Sequence, residues 1–113
     1  MATFSKRLLS GSVDGRPVSV TQLATPGNLV HTAHATAVDE VWLYAVNRHT
    51  VPVKLTIEFG GITVGDSIEA SLDVGGGAFL ILPGVPLTAA LAVRAFAAVA
   101  GVVSVFGWVN RIE

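Results

Sequence analysis

Residues 40–59 read EVWLYAVNRHTVPVKLTIEF, and a period of two runs through their second half. Val51, Val53, Leu55, Ile57 and Phe59 fall on one parity and Lys54, Thr56 and Glu58 on the other, the alternation of a strand with one face buried. Pro52 near its start suits an edge or opening position, because proline has no N–H to give to a ladder. Glu40–Asn47 carries β-branched and aromatic residues on both parities, which predicts a central strand covered on both faces. Asn47-Arg48-His49-Thr50 between them is short enough for a hairpin loop, so the two runs are expected to be antiparallel neighbours.

Outward from this stretch the same grammar continues. Ser67–Val74 alternates, with Ile68, Ala70, Leu72 and Val74 inward, and Gly75-Gly76-Gly77 ends it. Ala78–Leu82 is a short apolar strand stopped by Pro83-Gly84-Val85-Pro86, which is expected to project as a firm loop. Leu91–Ala98 and Val102–Ile112 complete the C-terminal half, and Pro17–Gln22 and Leu29–Ala35 are weaker strands upstream. Helix signals are nearly absent. The expected fold is all-β, an antiparallel sandwich of about eight strands in jelly-roll-like order. Residues 1–16, with Phe4, Leu8 and Leu9 beside Lys6 and Arg7, are expected to form an N-terminal arm that gains order by docking; residues 17–113 form the single domain.

Composition sets the partners. The set AVILMFWYC makes up 51% of 113 residues and charged residues only 13%, and the mean hydropathy is +0.65. A domain this short buries only about 65% of its unfolded surface, so apolar content beyond the needs of a core tends to surface as patches for association. Seven Lys and Arg against eight Asp and Glu give a net charge of −1, with no basic stripe to attract nucleic acid or a membrane surface. The absence of cysteine excludes disulfides, thiolate metal sites and thiol catalysis. No apolar h-region follows Lys6-Arg7, so synthesis and assembly in the cytoplasm are expected.

Leu87–Val109 is nearly all apolar and about long enough for a membrane helix. Arg94 at its middle would cost about 2.5–3.5 kcal/mol there, the valines favour strands, and Gly101 divides the run into two strand-length pieces. A hairpin or adjacent strand pair is expected instead.

Few residues invite chemistry. His31 and His34, three apart on a strand, point to opposite faces and cannot share an ion without a bulge, and no carboxylate adjoins them in sequence; no metal or cofactor is expected. Asp39-Glu40 faces two ways and reads as a solvated strand opening rather than a catalytic carboxylate pair. No serine sits in a G-x-S-x-G elbow, and Gly75–Gly77 lacks the lysine of a phosphate loop. No enzyme activity is expected. Trp42, Tyr44, Phe96, Phe106 and Trp108 read chiefly as core fillers, with a sugar-binding platform as the alternative. Arg94, alone in an apolar strand, must reach solvent, a carboxylate or a carbonyl, and an ion pair across a subunit interface is one answer.

The segments DEVWLYAVN (Asp39–Asn47), VKLTIEFGG (Val53–Gly61) and FGWVNRIE (Phe106–Glu113) resemble those of small structural proteins of tailed bacteriophages. The resemblance spans about two thirds of the chain and brings no site residues with it. It implies a capsid decoration or cement protein, often a β-sandwich trimer, that sits on the virion surface and clamps neighbouring copies of the major capsid protein. On that reading Phe4, Lys6, Arg7, Leu8 and Leu9 form one contact set and the Val85-Pro86-Leu87 loop a second. A tail or head-to-tail component and a glycan-binding adsorption module are the alternatives.

Overall fold

The computed structural model of the protein describes residues 2–113. Nine strands follow in order: β1 (Phe4–Leu8), β2 (Val18–Val20), β3 (Asn28–Thr32), β4 (Val38–Asn47), β5 (Val53–Phe59), β6 (Ser67–Leu72), β7 (Ala78–Leu87), β8 (Ala92–Ala97) and β9 (Val103–Ile112). A 3-10 turn at Val64–Asp66 is the only helical element among the described residues, and no helix is long and apolar enough to cross a membrane. One sheet has the order β1-β9-β4-β7, with β2 also on β9; the other is β3-β8-β5-β6. Every pairing is antiparallel and the pairs are nested: β1 and β2 with β9, β3 with β8, β4 with β7, β5 with β6. That nesting is the jelly-roll order, and the expected all-β sandwich stands.

The core lies between the sheets. Val41, Leu43 and Ala45 of β4 and Val103, Val105 and Val109 of β9 face Leu55 and Ile57 of β5 and Val93, Ala95 and Ala97 of β8. Each larger aliphatic side chain contributes about 1.5–3 kcal/mol by leaving water. Alanine at three of these positions keeps the layer thin, so the two backbones approach closely.

Local expectations fail at the connections. β4 and β5 are not hairpin partners: β4 pairs with β7 and β9, β5 with β6 and β8. The Asn47 side chain carries the chain across to the other sheet, donating to the carbonyls of Val51 (3.1 Å) and Leu72 (3.0 Å) and accepting the His49 N–H (2.8 Å). β8 and β9 likewise belong to opposite sheets, because each has one apolar face and the two faces pack against each other rather than edge to edge. Pro83 and Pro86 do not open a loop. They lie within β7, an edge strand, where a missing N–H costs no ladder bond.

The expected arm is a strand. β1 pairs with β9 from Phe4↔Ile112 to Leu8↔Trp108, and Leu9 is buried in the core, so the first sixteen residues are not set apart from the domain. β4 is central, as its composition suggested, but it is not covered on both faces: its burial alternates strictly along all ten residues.

Candidate interaction surface

Strict alternation leaves the even-numbered residues of β4 and β9 on the outside of the sandwich, and those residues are the aromatic ones. Trp42 lies opposite Trp108, and Tyr44 opposite Phe106. The indoles stack with centroids 5.4 Å apart and planes 8° from parallel; the second pair stacks at 5.7 Å and 19°. None of the four belongs to the core or to the half-buried residues packed against it. The expectation that these aromatics fill the core is therefore overturned, for a simple reason of parity. Val41, Leu43 and Ala45 occupy the inward positions, so their sequence neighbours must point out.

All four rings are half-buried. Lys6 of β1 places its ammonium 4.5 Å from the centroid of Trp108, a cation–π contact. On the far side, Gly84 of β7 adjoins Trp42: a Cβ on Gly84 would come within 2.9 Å of the indole. Gly84 has φ +74° and is the extra residue of a bulge, since Val41 pairs with Val85 and Trp42 with Pro83. In register the row across the four strands is Leu8, Trp108, Trp42 and Pro83, with Lys6 and Gly84 lying against its two indoles. Next to it runs a second row, Lys6, Asn110, Glu40 and Pro86, in which Asn110 Nδ2 donates to Glu40 Oε1 at 2.9 Å.

Beneath this face lies a buried ionic hub. Asp39, wholly inaccessible, accepts from Arg111 Nε (2.8 Å) and Nη2 (3.1 Å), from His31 Nε2 (2.8 Å) and from the His34 main-chain N–H (3.2 Å). Burial pushes its carboxyl upward, but the Arg111 and His31 hydrogen bonds and the Arg111 charge outweigh burial and hold it at about 2. The Asp39 hydrogen bond in turn raises Arg111. His31 Nδ1 accepts the Ser10 main-chain N–H at 3.0 Å, so Nε2 carries the proton toward Asp39. The hub bolts β3 of one sheet to β4 and β9 of the other. It corrects the reading of Asp39 as a solvated strand opening: in the fold, a carboxylate eight residues away meets the His31 ring, and a bulge in β3 between Leu29 and His31 aims that ring inward. Ser10 Oγ accepts from the Thr32 N–H and does not face the imidazole as a nucleophile faces its base. Among the described residues no three His, Cys, Asp or Glu are grouped to hold a metal ion.

The residues singled out from sequence separate into four places. Phe4, Lys6 and Leu8 share the outer face with the aromatic ladder, as does Pro86. Leu9 and Leu87 are buried, and Val85 packs against the core, so these three are not available as contacts. Arg7 is exposed near Glu113, 3.8 Å away. Arg94 lies on the outer face of the opposite sheet, where its Nη1 donates to the Gly27 carbonyl at 3.2 Å; a carbonyl is the partner it reaches. Glu58, its cross-strand neighbour, is buried and accepts from the Thr25 hydroxyl and, at 2.7 Å, from the Gly27 N–H. Phe96 lines an open groove of about 440 Å³ on that sheet, between Leu23 and Val64.

No family model matches the chain, and neither a curated protein nor a solved structure matches it.

Proposed function

We propose that this chain is a non-enzymatic structural protein of a tailed-phage virion, a capsid decoration protein that self-associates and stabilises the head by bridging coat subunits. The observation that carries the association half is the placement of Trp42, Tyr44, Phe106 and Trp108 outside the core, on a sheet face continuous with Phe4 and Leu8. Large aromatics gathered on an outer sheet face are characteristic of interaction surfaces. The virion half rests on the sequence resemblance, and two of its three segments are β4 and β9, the strands that display the ladder. Jelly rolls serve viral shells among other uses, an analogy of fold.

The action is thermodynamic. A protein that binds only the assembled shell shifts the assembly equilibrium toward it, and many weak contacts then act together. A sugar-binding role is less well supported. A pyranose stacks on an open ring face, whereas both faces of Trp108 are taken, one by Trp42 and one by Lys6.

Cryo-electron microscopy of the particle that carries the chain tests the proposal. Density for this jelly roll at icosahedral positions across the head is the expected result; a few copies confined to the tail axis overturn the decoration role.

A further inference from the structure

We propose that two copies of this chain pair face to face through the outer face of the β1-β9-β4-β7 sheet, about a two-fold axis that runs along β9. The inference rests on the reading of that face as the association surface and names its occupant.

The argument begins with Lys6. From the edge strand β1 its ammonium reaches over Trp108, so a body that covers the indoles also meets this charge. An ammonium buried without an anion is strongly unfavourable, and the occupant must therefore bring a carboxylate to that point. The chain has one to offer. Glu40 is the only acidic residue among the strand positions of the outer face, and Lys6 is the only basic one. Among the described residues neither has an ion-pair partner.

Their positions are self-complementary. Lys6, Asn110 and Glu40 lie in one row on β1, β9 and β4, so lysine and glutamate are one strand to either side of β9. Rotation by a half turn about β9 sets Lys6 of each copy over Glu40 of the other, and Leu8 of each over the other's Trp42. A two-fold contact of this kind closes on itself and does not propagate. Only β1, β9 and β4 overlap about this axis, and ten-residue strands with two strand spacings give a face of about 33 by 10 Å in projection, hence about 650 Å² over two copies, the size of a weak, transient pair. This is a pair rather than the trimer that the phage resemblance implies.

Sedimentation velocity of the full chain from about 1 to 100 µM tests the pair. The expected result is a species of twice 11.7 kDa. Lys6→Glu and Glu40→Lys each weaken it about thirtyfold or more, through like charges that meet across the contact. The combined swap recovers affinity to within about threefold of the parent, and Lys54→Glu on the opposite sheet leaves it unchanged. A monomer or a trimer throughout this range overturns the proposal, as does a swap no tighter than the single variants. If the free chain is monomeric while a Trp42→Ala/Trp108→Ala variant no longer co-sediments with particles stripped of the parent protein, the pair falls and the association surface stands. If the free chain is monomeric and that variant still co-sediments, both fall.

Discussion

Trp42 and Trp108 face each other directly across β4 and β9, 5.4 Å apart and nearly parallel, on the outside of a sandwich whose interior is built from valine, leucine, isoleucine and alanine. A domain under no demand beyond its own stability gains most by burying its largest apolar side chains. Here the largest lie half-buried on the outer face, and the inward positions beside them hold smaller residues.

Stability should therefore divide unevenly between the two faces of β4. Trp42→Ala is expected to cost about 1–1.5 kcal/mol, chiefly the stacking term, whereas Leu43→Ala, one residue away but wholly buried, is expected to cost about 2–5 kcal/mol. Urea denaturation of the two variants under conditions where the parent is monomeric compares them; an equal or larger loss for Trp42→Ala contradicts the assignment.

Acid should act through Asp39. Its folded-state value lies at about 2, below the ordinary 3.8. The unfolded chain thus binds its proton first as pH falls, and the stabilisation is complete above about pH 5 and lost progressively toward pH 2. The loss amounts to about 2 kcal/mol. An Asp39→Asn variant, compared with the parent at pH 6 and pH 2.5, should lack this component of the pH dependence while being less stable at pH 6 by about 3 kcal/mol, since it leaves Arg111 without its anion.

Gly84 should resist substitution for two reasons that act together. Its φ of +74° is unfavourable for any residue with a Cβ, and that Cβ would press on the Trp42 indole. Gly84→Ala is expected to cost about 1–2 kcal/mol and to displace Trp42 from its stack, which near-ultraviolet circular dichroism reports as a reduced indole couplet. An unchanged couplet would show that Gly84 does not position the ring.

Glu58 should hold the loop between β2 and β3. Its carboxylate accepts from Thr25 and Gly27, and it is buried on what alternation alone marks as the solvent face of β5. Glu58→Ala is expected to cost about 1–3 kcal/mol and to speed amide exchange at the Gly27 N–H, while exchange in β4 and β9 stays as in the parent. Unaltered exchange at Gly27 counts against this role.

Much of this architecture was legible in the residues, and what escaped has a common cause. Periodicity located β5, β6, β8 and β9 closely, because a half-buried strand writes its face into every second residue. Pairing partners were not legible: the five residues between Asn47 and Val53 have the length of a hairpin loop, and nothing local distinguishes a hairpin from a crossing between sheets. The Asp39–His31–Arg111 hub escaped for the same reason, since Arg111 is 72 residues from Asp39. The aromatic face was within reach. In VWLYAV the inward parity Val41, Leu43 and Ala45 is already apolar, which leaves Trp42 and Tyr44 pointing out; their hydrophobicity argued for burial, and parity decided otherwise. Of the expected contact set, Phe4, Lys6 and Leu8 lie on one outer face, in a strand and not in an arm, while Leu9 is buried in the core.

Trp42 and Trp108 are the only two tryptophans in the chain, so indole fluorescence reports on this face alone. Acrylamide quenching of that fluorescence, measured on the dilute free protein and on particles that carry it, tests the central claim most directly. A quenching constant that falls severalfold on assembly is the predicted result; equal quenching in the two states would contradict the claim that this face is where the protein associates.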